Sequence, residues 1–558
     1  MSESCDVLIE INHGWRRFAV GLADVWIKGD VADSDIVTAF ERLSADAGAS
    51  AVQVALSTLS GHFAIIVCHP DWICAAVDRI RSIPLVWACD ETNELCVAQE
   101  GRKLLAHLDG GRKAVDLDQA LAVALAGYTV GDATLYKDIQ TLLPGHFLFK
   151  NGAQTVTECY HRFTPWTASQ ASGNDAAQRA QLAELTLSIL QELIDRADGR
   201  TIALPLSAGL DSRLIAAGLK QLGYQNVVCF AYGQAGNHEA ETSRVIAERI
   251  GYPWHFVPFT NASMAKMFSS DHYAGYRAYA DSLTGVHFPQ DYRAIMALLA
   301  DGILPPDCIL VNGQSGDFIS GNHIPAALES APTNPDNIDT RVERIIDMLM
   351  SKHFKQWRFL MRDENLSRIR TLLRAEIVSL TEGAMPDDPV ADYGVYEVVE
   401  FVDRQSKYVV NGQRLYEYLN LEWALPLWHD RYLEYWAARP VSHKARQRLY
   451  RDMLIEANWA GVWQDIPVNA KRIRPRWLIP VRFAFKVLHA PFGKTQWHRF
   501  ERKVFEYLMT PLCSYAVRSW FEIAMDGRGP WTGISPHIED YLHDHGVAFE
   551  NLDGNFPK

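Results

Sequence analysis

One strand–turn–helix segment carries the residues best suited to chemistry. The apolar run Thr201–Leu206 predicts a buried strand, and Leu210–Lys220 has apolar residues at helical spacing. Small residues join the two, so backbone N–H groups at the helix N-terminus are free to bind phosphate. Ser207 and Ser212 offer hydroxyl donors to phosphate oxygens, and Asp211 offers a carboxylate to a bridging magnesium ion. The segment therefore predicts a phosphate-binding turn.

The elements that follow indicate how this turn is positioned. Asn226–Tyr232 reads as a second buried strand, Glu239–Ile250 as an amphipathic helix and Trp254–Val257 as a third strand. Strands that alternate with helices predict a doubly wound parallel sheet, whose ligands bind at the carboxyl ends of the strands. The turn follows such a strand end, so nucleotide binding is expected there.

The turn lacks the Gly-Lys-Ser/Thr triplet of the Walker loop and the three spaced glycines of the dinucleotide fingerprint. It resembles instead the Ser-Gly-Gly-x-Asp-Ser loop of the ATP pyrophosphatases, with Ala208 in place of the first glycine. The resemblance implies that MgATP is the cofactor. The residues expected to bind it are Leu206, Ser207, Ala208, Gly209, Asp211 and Ser212, with Phe230, Tyr232 and Gly233 against the adenine.

A second turn, within Ile309–Asn322, is rich in glycine and follows another predicted strand. It resembles the Gly-Glu-Gly-x-Asp-Glu turn of asparagine synthetases, which closes over pyrophosphate and magnesium. The resemblance rests on Gly313, Gly316 and Asp317. It implies that both glycines approach the nucleotide and that Asp317 is catalytic and joins Asp211 as a metal ligand. Two residues depart from the pattern, because Gln314 and Phe318 stand where the family has glutamates.

Acyl-adenylate chemistry also needs cations that neutralise pyrophosphate as it leaves. Asparagine synthetases place two lysines for this role beyond the substrate segment. Gln447 aligns with the first lysine and has Arg448 beside it, whereas Lys471 aligns best with the second. Lys471, Arg448 and Asp317 are therefore the expected catalytic residues.

The first 162 residues predict short β-type runs separated by turns. Four such runs are Val7–Ile11, Phe18–Leu22, Val52–Leu56 and Phe63–Val67. Patches in this region resemble the N-terminal glutaminase half of asparagine synthetase B: Leu59–Ala64, Val77–Leu85, Gly127–Lys137 and Leu143–His146. This resemblance implies a four-layered αββα sandwich.

The glutaminase nucleophile of that family is a cysteine placed directly after the initiator methionine, with its own α-amine as the base. Position 2 is serine here, and the nearest thiol, Cys5, is followed by Asp6 and Val7 where the family has Gly-Ile. We therefore expect the N-terminal half to be a scaffold without glutaminase activity.

The expected fold class is α/β. Residues 1–165 form a degenerate N-terminal-nucleophile (Ntn)-type glutaminase-like sandwich, and residues 176–558 form an adenine-nucleotide α-hydrolase-like (PP-loop) synthetase domain with a helical extension. The net charge of -13 argues against a dedicated nucleic-acid binder. Nine cysteines without metal-site spacing indicate reduced thiols and a cytoplasmic protein. No signal peptide and no apolar segment of membrane-spanning length are expected.

A basic and aromatic stretch, Lys471–Lys503, stands out in this acidic chain. Three readings stay open: binding of an anionic substrate, contact with an anionic membrane surface, and a solvated helical hairpin. The oligomeric state also stays open, a homodimer being one alternative.

Together these features predict an ATP-dependent amide-forming ligase that adenylates a carboxylate, releases pyrophosphate and transfers ammonia or an external amine. The segment Arg404–Arg414 resembles asparagine-synthase-related proteins of bacterial surface-polysaccharide gene clusters. This resemblance favours a uronic-acid-type sugar, which could be nucleotide-linked, as the carboxylate in polysaccharide biosynthesis. The alternatives are a lasso-type peptide cyclase, an asparagine synthetase proper and an inactive nucleotide-binding scaffold.

Overall fold

A computed structural model of the chain describes residues 5–108, 113–152, 154–169, 175–287, 289, 291–330, 337–467, 473–530 and 532–552. The described part of the N-terminal half contains strands β1 Cys5–Val7, β2 Arg16–Val20, β3 Ala23–Gly29, β4 Phe63–Cys68, β5 Ile73–Val77, β6 Val86–Cys89, β7 Leu95–Ala98, β8 Gln140–Thr141, β9 His146–Asn151 and β10 Gln154–Cys159. Its helices are α1 Asp33–Phe40, α2 Ala49–Ser57, α3 Gly101–His107 and α4 Leu117–Ala126.

These strands form two sheets, ordered β1-β7-β6-β8 and β10-β9-β5-β4-β3-β2. Strand β4 shows why the sheets stack, because alternate side chains of a strand point to opposite faces. Ala64 and Ile66 join the core shared with β6 and β7, whereas Ile65 and Val67 join the core under α1 and α2. With α3 on the outer face of the smaller sheet, the order of layers is αββα, and the expected fold class is confirmed.

One strand prediction in this half is wrong. Val52–Leu56 lies inside helix α2, where Val52, Ala55 and Leu56 are buried and the residues between them face outward. Positions i, i+3 and i+4 share one face of a helix, and a five-residue apolar run cannot distinguish this spacing from a strand. Of the other runs, Phe63–Val67 lies within β4, Phe18–Leu22 is shifted by two residues relative to β2, and Val7–Ile11 overlaps β1 only at Val7.

The second half is built on a parallel sheet of five strands, β11 Ile202–Pro205, β12 Val227–Gly233, β13 Trp254–Pro258, β14 Ile309–Val311 and β15 Glu422–Ala424. Their order is β13-β12-β11-β14-β15. The chain therefore proceeds from β11 outward to one side and returns to the other side at β14. Such a reversal is a topological switch point, where open α/β sheets bind their ligands.

Helices surround this sheet and extend beyond it. They are α5 Asp175–Ala197, α6 Asp211–Gln221, α7 His238–Ile250, α8 Asn261–Phe268, α9 Asp271–Ala280, α10 Tyr292–Ala300, α11 Gly316–Ile319, α12 Ile338–His353, α13 Asp363–Leu380, α14 Asp392–Glu400, α15 Arg414–Tyr418, α16 Asp430–Ala437, α17 Val441–Lys444, α18 Arg448–Ala457, α19 Leu478–His489, α20 Gly493–Val504, α21 Glu506–Met509, α22 Trp520–Met525, α23 Ser535–Asp544 and α24 Phe549–Leu552. A π-helix, Phe401–Val409, continues α14. Within the described ranges, no helix combines the length and apolarity needed to cross a bilayer.

A buried ionic cluster joins the two halves. Lys28 of β3 lies 2.7 Å from Glu417 of α15, and Arg414 lies 2.8 Å from the same carboxylate. All three side chains are almost fully buried. Since an unpaired charge in such a place is costly, each partner stabilises the contact between the halves.

Candidate active site

The turn after β11 folds back on the start of α6. The Ser207 N–H donates to Ser212 Oγ at 3.0 Å, and the Gly209 N–H donates to Ser207 Oγ at 3.1 Å. No side chain caps the N-terminus of α6. The first turn of this helix is therefore open toward the switch point, where it can bind an anion.

The turn after β14 approaches so closely that only glycine fits at two positions. A Cβ atom on Gly313 would lie 2.8 Å from the Ser212 backbone nitrogen. A Cβ atom on Gly316 would lie 2.7 Å from Asp211 Oδ1. Both distances are shorter than real Cβ contacts allow, so the missing side chains bring the two turns together.

Two carboxylates meet where these turns touch. Asp211 Oδ2 accepts a hydrogen bond from the Asp317 N–H at 2.9 Å, and Asp211 Oδ1 accepts one from the Tyr450 hydroxyl at 3.0 Å. Burial and the nearby charge of Asp317 raise the pKa of Asp211 to about 7. Burial also opposes ionisation of Asp317, but its hydrogen bond to His323, 3.2 Å away, holds its pKa below the ordinary value. A cation would relieve the repulsion within this acidic pair.

A second group of charges surrounds Glu400 at the end of α14. Its carboxylate contacts His323, Lys352 Nζ at 3.0 Å and His353 Nε2 at 3.3 Å. Burial raises the pKa of Glu400, but the neighbouring histidines outweigh it and hold this pKa well below its usual range. Arg404 Nη1 lies 3.8 Å from Glu400 Oε1, too far for a hydrogen bond. Its guanidinium is therefore available to a ligand.

Asp211, Asp317, His323 and Arg404 line a cavity of about 340 Å³, a size typical of small-molecule sites. The lining residues are Pro205, Ser207, Gly209, Asp211, Ser212, Tyr232, Asn312, Gly313, Gln314, Ser315, Asp317, His323, Arg404, Gln405 and Val409.

Most residues that the sequence assigned to this site lie at the cavity or directly behind it. Ser207, Gly209, Asp211, Ser212, Tyr232, Gly313 and Asp317 line the cavity. Leu206, Ala208, Phe230, Gly233 and Gly316 are buried. The Leu206 N–H donates to the Phe230 carbonyl at 2.8 Å, so these two residues act through the backbone of β11 and β12.

Of the two predicted catalytic cations, only Arg448 lies within the described residues. Arg448 Nη1 pairs with Asp175 Oδ2 at 2.7 Å, and Arg448 Nε donates to the Ser442 carbonyl at 2.7 Å. The structure therefore does not bring Arg448 into the cavity. Lys471, the preferred catalytic lysine, lies outside the described residues.

Sequence reasoning did not single out His323 or Tyr450. Arg404 was noted only as part of a segment of family resemblance, and the structure places it on the π-helix at the cavity wall. π-helical turns are rare and frequently mark functional sites, but no sequence periodicity announces them.

Comparison with known proteins defines the class of this molecule. A family model described as asparagine synthase matches residues 190–458, and one described as a glutamine amidotransferase domain matches residues 41–161. A glutamine amidotransferase domain followed by an asparagine synthase domain is the organisation of ATP-dependent amide-forming ligases. The chain belongs to an asparagine synthetase B-like family, as its sequence resemblance predicted.

Two solved structures give distant matches. A glutamine phosphoribosylpyrophosphate amidotransferase from B. subtilis is 11% identical, with a TM-score of 0.18, over 54% of this chain and 63% of that one. A structure described as the allosteric regulatory enzyme of purine biosynthesis is 12% identical, with a TM-score of 0.17, over 44% of this chain and 62% of that one. The chain thus spans less than two thirds of either protein. No curated protein gives a significant match.

We expect Gly313→Ala to weaken ATP binding at least about tenfold, because the new methyl group meets backbone atoms of Ser212 and Asp211 that cannot move cheaply. Isothermal titration with ATP would measure this change. Gly412→Ala is a matched control, since its Cβ would meet only Gln314 Nε2 at an ordinary 3.6 Å. Equal affinities for the two variants would contradict the close approach of the turns.

Proposed function

We propose that the cavity lined by Asp211 and Asp317 binds MgATP, and that the protein activates a substrate carboxylate there as its acyl-adenylate. The observation that carries the proposal is the meeting of Asp211 and Asp317 beside the open turn Ser207–Ser212. Hydroxyl and backbone N–H donors suit the phosphates, and the acidic pair suits a divalent cation. The fold class and both family matches support the same chemistry.

Asp211 and Asp317 would hold the Mg²⁺. The raised pKa of Asp211 fits this role, because it records a negative charge that the protein leaves incompletely neutralised. When bound, the ion would neutralise charge on the phosphates. Arg404, which lines the same cavity, would stabilise the negative charge that develops on the leaving pyrophosphate.

The reaction would proceed in two steps. An oxygen of the substrate carboxylate forms a bond to the α-phosphorus of ATP, and the bond to pyrophosphate breaks. The nitrogen of an amine then attacks the acyl carbon, the bond to AMP breaks, and the nitrogen loses a proton. Enclosure of the bound adenylate would limit attack on it by water.

We propose that the amine is ammonia or an external donor, since the N-terminal half offers no activated nucleophile among its described residues. Cys5 lies within strand β1, so its nitrogen belongs to a peptide bond. A hydrogen bond to Cys68 and burial raise the pKa of the Cys5 thiol, which keeps it protonated. The glutamine amidotransferase match begins only at residue 41. Ser2 lies outside the described residues.

For the carboxylate we propose a uronic-acid-type sugar that is converted to its carboxamide in surface-polysaccharide synthesis. Support comes from the segment Arg404–Arg414, whose sequence resembles proteins of such gene clusters and whose first residues, Arg404 and Gln405, line the cavity. Gln314, at a position where asparagine synthetases have a glutamate, also lines it. This difference favours a carboxylate other than aspartate.

A product assay by mass spectrometry tests the proposal. The protein is incubated with MgATP, ammonium and a panel of nucleotide-linked uronic acids whose carboxylates carry oxygen-18. Release of AMP that contains one oxygen-18 atom, with a sugar carboxamide, is the expected result. ADP and phosphate as products would overturn the adenylate. Aspartate and a precursor peptide serve as alternative substrates, and turnover of either one alone would replace the sugar.

Lys471→Ala is expected to slow adenylation about 100-fold with little change in ATP affinity, because the lysine is proposed to act on the departing pyrophosphate. Pyrophosphate exchange into ATP would measure the rate. Lys266→Ala removes an exposed lysine of α8 and is the control. An unchanged exchange rate in Lys471→Ala would show that another cation has this role.

A further inference from the structure

Helices α19 and α20 carry an unusual surface. Eight large apolar side chains are exposed along and just beside α19, and we call the six most exposed of them the hairpin surface: Trp477, Ile479, Phe483, Val487, Leu488 and Phe492. Phe483, Leu488 and Phe492 are 66%, 65% and 70% exposed. Soluble proteins rarely leave a contiguous apolar patch without a function for it.

The helices themselves are held by a small core of their own. Leu478 of α19, Trp497 of α20 and Phe505 are buried together, and Arg482 forms an ion pair with Glu501 across the hairpin. The exposed residues of α19 are therefore not needed for this packing. They face solvent on a helix that other contacts already hold in place.

The same segment concentrates positive charge. Eight basic residues and one acidic residue lie between Ile473 and Val504, in a chain whose net charge is -13. Lys486, Lys494 and Arg499 are exposed close to the apolar side chains. An anionic surface would attract this segment and repel the rest of the molecule, which fixes the orientation of approach.

We propose that the hairpin surface docks the protein on an anionic membrane surface. Helix α19 would lie in the plane of the interface with Phe483 and Val487, which are four positions apart on one face, at the acyl boundary, as amphipathic interfacial helices do. Lys486 and Lys494 would meet lipid phosphates. Helix α19 has 12 residues and is too short to span a bilayer. A second copy of the chain is a poorer occupant, because it would bring the two basic segments together.

Contacts at both ends of the hairpin connect it to the synthetase domain. Arg474 lies 3.5 Å from Glu241 of α7, and the Pro511 carbonyl accepts a hydrogen bond from the Gln234 N–H at 2.8 Å. Gln234 directly follows the carboxyl end of strand β12, and the cavity lies at the carboxyl ends of the strands of this sheet. Docking would therefore hold the carboxyl end of β12 near the lipid surface. The inference stands apart from the proposed function, because binding to vesicles requires no catalysis.

Co-sedimentation with vesicles tests the inference on the full chain. We expect binding to phosphatidylcholine vesicles that contain one third phosphatidylglycerol, and at least about tenfold weaker binding to phosphatidylcholine alone. The double variants Phe483→Glu/Val487→Glu and Lys486→Glu/Lys494→Glu should each lose at least about tenfold in affinity for the anionic vesicles. Leu22→Glu/Val54→Glu is the matched control, since both of its positions are exposed and apolar in the N-terminal half.

Equal binding to both kinds of vesicle, or variants that bind like the control, would overturn the inference. So would a wild-type dimer that does not bind vesicles and that Phe483→Glu/Val487→Glu dissociates in sedimentation velocity, because the partner would then be a second copy. Should the variants fail to fold, brominated lipids decide the matter in the wild type. They should quench Trp477, and Trp477→Phe should lose that part of the quenching.

Discussion

Replacement of Asp211 by asparagine is expected to reduce AMP formation at least about 10³-fold, because several kcal/mol of phosphate-charge stabilisation depends on this carboxylate. Asp211 lies where the turns after β11 and β14 touch, and it contacts Asp317 and Tyr450. Asparagine keeps the size of the side chain and one accepting oxygen for the Asp317 N–H, and its NH2 group can donate to the Tyr450 hydroxyl, but the charge is removed. Pyrophosphate exchange and ATP titration at several magnesium concentrations would separate lost cation binding from a lost fold.

The fold of this variant should be intact and somewhat more stable than that of the wild type when no nucleotide is present. The folded protein raises the pKa of Asp211 to about 7, so it holds this proton more tightly than the unfolded chain does. The free energy of unfolding contributed by Asp211 therefore falls as the pH rises toward and through 7. Asp211→Asn should lack this part of the pH dependence in thermal unfolding without metal.

Glu376→Gln is the matched control for Asp211→Asn. Burial and the charge of Asp403 raise the pKa of Glu376 to about 8, so its carboxyl group is largely protonated at neutral pH and glutamine resembles it closely. Glu376 lies outside the cavity lining. Adenylation at the wild-type rate is expected from this variant. Full turnover by Asp211→Asn, or an equal loss in both variants, would contradict the role assigned to Asp211.

The nucleotide half of the site could be predicted because its signal is local. Strand, turn and helix follow one another between Thr201 and Lys220, and each of the three carries its own pattern of apolar and small residues. The second turn, which ends at Asp317, was found in the same way. Their meeting was implied by the resemblance to asparagine synthetases, which made Asp211 and Asp317 metal ligands together.

The part of the site formed by Arg404, His323 and Glu400 could not be predicted in the same way, because it depends on long-range packing. Arg404 lies 87 positions beyond Asp317 in the sequence, on a π-helix whose register follows no regular apolar repeat. His323 and Glu400 meet across a similar separation. Arg448 is the reverse case: alignment with a lysine-containing motif suggested a catalytic cation, and its guanidinium at the start of α18 pairs with Asp175. Two successive left-handed residues, Arg446 and Gln447, precede that turn.

Arg404→Gln is therefore expected to lower the turnover number for adenylation about 10²- to 10³-fold while the affinity for ATP changes little. The guanidinium lines the cavity, and it lies 3.8 Å from Glu400, its nearest carboxylate partner among the described residues. Its charge is thus available where pyrophosphate would leave. Arg404→Lys should recover part of the rate, because lysine keeps the charge but lacks the two-pronged geometry of arginine.

Arg448→Gln is the informative comparison, because it removes the arginine that the sequence favoured. Its ion pair with Asp175 is partly exposed, so its loss should cost at most about 1 kcal/mol of stability and leave adenylation near the wild-type rate. The exchange of pyrophosphate into ATP reads the adenylation step alone, without the amine. A slow Arg448→Gln beside a fully active Arg404→Gln would restore the assignment made from the sequence. A slow Arg404→Gln beside a fully active Arg448→Gln would place the cation for pyrophosphate departure on the π-helix that lines the cavity.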